Sequence, residues 1–121
     1  MLGDAAVLDT TLTGEQRAAL GRLVASARAL LGVRLERVVL FGYRARGDAE
    51  QESDTDLLFL TADGPTALDR RQFSGLAADL QTETRAFLPF SLVLLSRARF
   101  DELIDRERRF ALDVQREGIS L

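Results

Sequence analysis

Residues 38–60 read VVLFGYRARGDAEQESDTDLLFL, two apolar runs on either side of a polar, glycine-containing segment. The first run, 38–41, is rich in strand-forming residues and does not alternate with polar residues. The second run, 56–60, is likewise wholly apolar after its leading aspartate. Such runs are typical of strands that are covered on both faces. The stretch predicts two buried strands joined by a loop or a broken turn of helix.

An amphipathic helix is predicted before these strands, over residues 14–31. Thr13 and Gln16 form a capping-box pattern at its start, and Gly32 stands where a helix end favours a left-handed residue. Apolar residues recur inside it at helical spacing: Leu20, Leu23, Val24, Ala27, Leu30 and Leu31.

Beyond the second strand, Pro65 is placed for the first turn of a helix that runs to about residue 85. A third strand is predicted over 90–95, Ser96 is expected to cap a short helix, and a last helix should end near Gly118. The order α-β-loop-β-α-β-α-α predicts an α/β (α+β) domain. Its short mixed sheet of about three or more strands would pack with helices in two or three layers.

The length of 121 residues suits one domain, assigned to 1–121 with a loose lead-in over 1–12. No apolar run approaches the roughly 20 residues that span a bilayer, and no secretory signal pattern is present. The chain also lacks cysteine. We therefore expect a cytoplasmic protein without membrane association.

Missing residue types narrow the chemistry further. There is no histidine, which excludes Ser-His-Asp triads and the usual catalytic zinc sites. All sixteen basic residues are arginine, so Schiff-base chemistry and a phosphate-loop lysine are excluded as well. The net charge of −3 argues against a nucleic-acid partner on electrostatic grounds. Any general base must be a carboxylate or a bound hydroxide.

Two carboxylates open the second strand. Asp54 and Asp56 should share one face, roughly 6–7 Å apart along the backbone. Carboxylates that close repel each other unless a cation lies between them, and Mg²⁺ prefers oxygen ligands, commonly one or two carboxylates with substrate phosphates. The alternative for an isolated Asp-x-Asp is a solvated turn.

The glycine after the first strand suggests a place for phosphate. Gly42 would let a phosphate approach the backbone, and a helical turn over 43–46 would point free amides at it. Arg44 and Arg46 would add forked donors. The alternatives are an ordinary strand-end turn and a surface arginine pair. Taken together, the parts favour metal-assisted transfer at a nucleotide phosphate.

With these motifs the chain resembles the minimal nucleotidyltransferases of the DNA polymerase β superfamily. The family signature is Gly-Ser, ten residues, then Asp-x-Asp; here Gly42-Tyr43 is followed by 44–53 and by Asp54-Thr55-Asp56. The closing segment Arg116-Glu117-Gly118-Ile119 is also similar to the tail of these proteins.

The resemblance implies a magnesium-dependent enzyme that moves a nucleoside monophosphate from ATP or another NTP onto an acceptor hydroxyl. Gly42 and Tyr43 would contact phosphates, and Asp54 and Asp56 would bind the metal and serve as catalytic residues. It further implies a helical HEPN-domain partner, with the pair forming a toxin–antitoxin system in which the nucleotidyltransferase neutralises the toxin, in some cases by adenylylation.

The chain departs from the family pattern at two positions. Tyr43 replaces the serine, so its ring either fills the phosphate space or folds outward. The third carboxylate of the next strand corresponds to Ser91, and no Asp or Glu occurs between 84 and 100. A missing general base typically lowers the rate by about 10²–10⁴-fold.

Three hypotheses therefore stand. The chain either transfers a nucleotide, AMP foremost, to a partner protein, or is a degraded binding module that neutralises or scaffolds a helical partner without chemistry. Transfer to a small molecule ranks last because 121 residues leave no second domain for an acceptor pocket, unless a homo-oligomer supplies one.

Overall fold

The computed structural model describes residues 12–47, 54–83 and 88–121. Apart from Leu12, the expected N-terminal lead-in therefore lies outside the described residues. In chain order the elements are helix α1 (Gly14–Leu31), a 3-10 turn (Gly32–Arg34), strand β1 (Leu35–Phe41), helical turn α2 (Tyr43–Arg46), strand β2 (Thr55–Thr61), helix α3 (Ala67–Glu83), strand β3 (Phe90–Ser96), helices α4 (Arg97–Asp105) and α5 (Arg109–Glu117), and strand β4 (Ile119–Ser120). The predicted order is confirmed, and strand β4 is an addition that the sequence pattern did not indicate.

The strands form one four-stranded mixed sheet in the order β3-β2-β1-β4. Strand β1 pairs antiparallel with both β2 and β4, while β2 and β3 run parallel. The parallel pair is joined through helix α3, as a parallel crossover requires. The predicted fold class, a short mixed sheet packed with helices, is confirmed.

Helices cover both faces of the sheet, which makes three layers. On one face α1 and α3 pack over alternate strand residues such as Val38, Leu57 and Phe59. On the other face α4 and α5 pack over Val39 and Leu58. Both faces of the central strands are therefore apolar, which explains the unalternating runs in the sequence.

The local helix signals agree with the structure at α1. The Thr13 hydroxyl accepts from the Gln16 amide at 3.1 Å, and the Gln16 side chain accepts from the Thr13 amide at 2.9 Å. Gly32 ends the helix with φ +56°, in the left-handed region. Ser96 likewise caps α4 through the Arg99 amide.

The prediction for Pro65 was wrong in position. Helix α3 begins at Ala67, so the proline lies before the helix. A second reciprocal cap starts the helix instead: the Thr66 amide donates to the Asp69 carboxylate at 2.8 Å, and the Asp69 amide donates to the Thr66 hydroxyl at 3.0 Å. These bonds satisfy the amide of the residue before the helix and one amide of the first turn, so the helix begins after Thr66 and not at Pro65.

Asp69 also binds Arg34, the residue that immediately precedes strand β1. Arg34 donates to it through both terminal nitrogens, at 2.7 and 3.2 Å, and also contacts Asp63. Asp69 is buried. The Arg34 hydrogen bond and the Thr66 amide hold its pKa down to about 2. This cluster fastens the loop between β2 and α3 to the beginning of β1.

Within the described ranges, none of the helices combines the length and apolar character that a bilayer crossing needs.

Candidate functional site

The sheet register aligns three residues at one end of the central strands. Asp56 of β2 pairs with Phe41 of β1 on one side and with Ser91 of β3 on the other. Paired residues point to the same face of a sheet, and Phe41 packs in the cluster under α4 and α5. The three side chains therefore lie in a row on the α4–α5 face.

Gly42 contacts this row directly. Its φ of +78° lies in the left-handed region, which follows from the sharp turn between β1 and α2. A Cβ placed on Gly42 would overlap the Asp56 carboxylate. The structure thus brings the glycine bend and the second aspartate together, as the motif spacing suggested.

The two aspartates interact electrostatically. Asp54 is exposed just before β2, and Asp56 is half-buried at the start of the strand. Burial raises the pKa of Asp56 above its ordinary value, the charge of Asp54 raises it further, and Arg46 opposes both effects. A bound cation would relieve this repulsion and compensate for the lost hydration.

The observed position of Arg44 differs from the phosphate-binding position predicted from the sequence. Its side chain has no exposed surface, so it does not reach a ligand from solvent in this structure. Burial lowers the pKa of its guanidinium, and the charge of Asp54 partly offsets that decrease. The burial of Arg44 does not fit the phosphate contact expected from the sequence.

Arg46, at the end of the same turn, is accessible. Its amide donates to the Gly42 carbonyl at 3.2 Å, which closes the turn. Its guanidinium donates to Glu117, the last residue of α5, at 3.1 Å. Arg46 also acts on the pKa of Asp56. It therefore lies between the aspartate pair and the end of α5.

Tyr43 begins turn α2, but its side chain lies outside the described part of the structure, so neither of its two predicted orientations is tested. Ser91 is the Cα partner of Asp56 and is exposed, at the place where the resemblance expects a third carboxylate. A serine there adds no charge and no base.

Two carboxylates and a glycine cradle suit a single divalent cation. Among the described residues, no group of three or more acidic, histidine or cysteine side chains could hold a metal ion. Mg²⁺ nevertheless needs only one or two protein carboxylates when phosphates complete its shell. Asp54 and Asp56 fit that role.

A separate concavity of about 700 Å³ lies between α4, α5 and the sheet. It is lined at the start of β1 by Glu36 and Arg37, at the opposite end of that strand from Gly42. Charges of both signs line it, including an Arg97–Glu36 pair at 3.5 Å. Its two acidic residues, Glu36 and Asp101, lie among arginines, and neither belongs to the motif at Asp54 and Asp56.

Glu117 is the site residue that reasoning from the motif missed. It lies 71 positions from Arg46, so no local pattern connects the two. The only signal was the resemblance of the closing segment, which carried no assigned role.

The chain is similar to proteins of known structure or assigned activity. No family model matches the chain. A stretch of 49 residues is 41% identical to a candidate protein adenylyltransferase from Methanocaldococcus jannaschii; it covers 40% of this chain, and the chain spans only half the length of that relative.

Among solved structures, a candidate minimal nucleotidyltransferase is 28% identical, with a TM-score of 0.53 over 87% of this chain and 94% of that chain. A toxin–antitoxin structure with AMP-PNP has a TM-score of 0.55 over 89% of this chain and 72% of that chain. Its identity is 19%, so it shows the fold alone. Given the motif, the fold and these relatives, the chain has a nucleotidyltransferase-type fold and is similar to the minimal nucleotidyltransferases.

Proposed function

We propose that this protein binds a magnesium–nucleoside triphosphate, with ATP foremost, at Gly42, Asp54 and Asp56. The observation that supports this most is the contact between the glycine bend and the Asp56 carboxylate, where no side chain could be accommodated. Glycine at the bend lets this carboxylate approach the backbone, where a cation would compensate its charge.

The proposed reaction is the transfer of a nucleoside monophosphate to an acceptor hydroxyl. The hydroxyl oxygen forms a bond to the α-phosphorus, the bond to the bridging oxygen breaks, pyrophosphate leaves, and the hydroxyl proton passes to solvent. Asp54 and Asp56 would hold the magnesium, which neutralises phosphate charge when bound. Arg46 would bind phosphate oxygens.

For the acceptor we propose a partner protein, of the HEPN-domain helical type, which this chain would neutralise as an antitoxin. The likeness to the candidate protein adenylyltransferase supports a protein acceptor and AMP as the transferred group. The toxin–antitoxin structure of the same fold supports the antitoxin role.

The test is transfer of label from α-³²P ATP to a co-expressed helical partner encoded beside this chain. We expect labelling that depends on magnesium and is lost in Asp54→Asn and Asp56→Asn. Asp101→Asn, an exposed aspartate on α4, is the matched control and should label normally. Transfer that survives both site substitutions would refute the proposal.

A second candidate function is favoured by Ser91. Because the position opposite Asp56 carries no acid, the chain could act as a binding module that neutralises a helical partner without chemistry. In that case the two asparagine variants would bind and neutralise the partner as well as the unmodified protein does, with or without magnesium. Neutralisation that requires both aspartates would exclude this alternative.

A further inference from the structure

Arg46 interacts with an acidic residue on each of two sides. On one side its charge lowers the pKa of Asp56, and on the other its guanidinium donates to Glu117 at 3.1 Å. Both partners of that ion pair are partly exposed, at 30% and 40% of their side chains. A phosphate arriving beside Gly42 would therefore meet an arginine already engaged by a carboxylate.

The position of Glu117 is fixed by the packing around it. The next residue, Gly118, has no room for a Cβ, which would overlap the Val114 carbonyl and the Val39 side chain. Strand β4 then pairs with Val39 and Leu40, two residues before the glycine bend. The end of α5 is thus held against the end of β1.

An aromatic contact holds the beginning of α5 in the same way. Phe110 meets Phe41 edge to face, with ring centroids 5.2 Å apart. Phe41 immediately precedes Gly42 and pairs with Asp56. Helix α5 is therefore attached to the site at both ends, and Glu117 is presented to Arg46 from a rigid support.

We propose that Glu117 competes with the nucleotide phosphates for Arg46 and thereby weakens nucleotide binding. The inference rests on the proposed nucleotide site. The local charge supports the direction: Asp54, Asp56 and Glu117 outnumber Arg44 and Arg46, so loss of one negative charge favours an anionic ligand.

The experiment measures binding of magnesium with α,β-methylene-ATP, which blocks transfer, by isothermal titration calorimetry. Glu117→Gln keeps the size of the side chain and removes its charge. Because an exposed ion pair is weak, we expect binding that is about two- to fivefold tighter. Glu102→Gln is the control, since Glu102 is a partly exposed acid on α4 that pairs with Arg99 and Arg106; its affinity should equal that of the unmodified protein.

A double-mutant cycle separates competition for Arg46 from a general charge effect. In an Arg46→Gln background, Glu117→Gln should have no effect on the dissociation constant. An equal gain in both backgrounds would overturn the proposal, and so would weaker binding in the single variant, which would mean that Glu117 orients Arg46 for the ligand.

The experiment distinguishes failure of the proposed competition from failure of the proposed nucleotide site. If the unmodified protein binds nucleotide and Glu117→Gln binds equally well, the competition is refuted and the site remains. If neither the unmodified protein nor Glu117→Gln binds, the nucleotide site itself is refuted, and the competition with it. Each variant must unfold at the same thermal midpoint as the unmodified protein, within experimental error.

Discussion

At the scale of single residues, the site depends on a glycine, Gly42, at a position that has no room for a side chain. Gly42 combines a left-handed φ with contact to the Asp56 carboxylate, and only glycine satisfies both conditions. Burial raises the pKa of the half-buried Asp56, and the charge of Asp54 raises it further. Such an arrangement is unfavourable for an empty site and favourable for one that receives a cation.

Gly42→Ala should abolish nucleotide binding and destabilise the fold. The added methyl group meets the Asp56 carboxylate and strains the turn, at a cost of about 1–3 kcal/mol. Urea unfolding and calorimetry measure the two effects. Gly75→Ala is the control: Gly75 lies in helix α3 with open space around it, so the same substitution should stabilise by about 0.5–1 kcal/mol. A Gly42→Ala protein with normal binding would contradict the assigned role.

Ser91→Asp should convert the aspartate pair into a triad, since Ser91 is the Cα partner of Asp56. Without magnesium, the added charge should lower the unfolding midpoint through repulsion. Millimolar magnesium should raise that midpoint more than it raises the midpoint of the unmodified protein. If the chain retains transfer, a base at this position should raise the rate by about 10²-fold or more.

The control for this variant is Ser91→Asn, which has the same shape without the charge. It should respond to magnesium as the unmodified protein does. An equal response from the aspartate variant would mean that position 91 does not share the cation with Asp56.

At the scale of elements, the most constrained connection is the start of helix α3. Thr66 and Asp69 cap each other, and Arg34 joins them from the end of the 3-10 turn. The Asp69 carboxylate thus accepts from both the Thr66 amide before the helix and the Arg34 guanidinium. This connection determines where α3 begins.

Asp69→Asn should lower the stability at neutral pH by about 1–3 kcal/mol, because the buried carboxylate loses charge-assisted hydrogen bonds. The folded-state pKa of Asp69, about 2, lies below its ordinary value of 3.8. Its contribution is therefore fully present above pH 3.8 and is lost as the pH falls towards 2.

The difference in free energy of unfolding between Asp69→Asn and the unmodified protein should therefore narrow as the pH falls from 3.8 to about 2. Denaturant unfolding at a series of pH values measures this difference. Asp79→Asn on the exposed side of the same helix is the control and should show no such narrowing. A constant difference across the interval would argue against a depressed pKa.

At the scale of the whole molecule, the last strand completes the sheet. Ile119 is buried in the core on the α1 side, and the Leu121 carbonyl accepts from Arg28 of α1 at 2.8 Å. Strand β4 thereby joins the first helix, the sheet and the end of α5. The edge beyond β1 is covered through contacts between distant parts of the chain.

Ile119→Ala should reduce the free energy of unfolding by about 2–5 kcal/mol, because a fully buried side chain leaves a cavity. Since Ile119 contacts the core shared by α1 and the sheet, far-UV and near-UV circular dichroism should show one coincident transition at a lower denaturant midpoint. Leu68→Ala, at a residue that is 55% exposed, should change stability by less than about 0.5 kcal/mol. Separate transitions would indicate that β4 unfolds independently.

The sequence by itself determined the features that depend on neighbouring residues. The capping box at Thr13, the unalternating strands and the Gly42-to-Asp54 spacing were all readable, because hydrogen bonds over three residues and side-chain periodicity are local properties. From these the helix–strand order and the nucleotidyltransferase resemblance followed. The short β4 was not readable, since two residues carry no periodicity.

Tertiary structure alone decided how these parts meet. The alignment of Asp56 with Phe41 and Ser91, the inward direction of Arg44 and the pairing of Arg46 with Glu117 arise from register and packing. These contacts join residues far apart in the chain, and the free energy that selects them belongs to the assembled layers. Local sequence therefore predicts which residues take part in the site, while the packed sheet and helices determine which of them can reach a ligand.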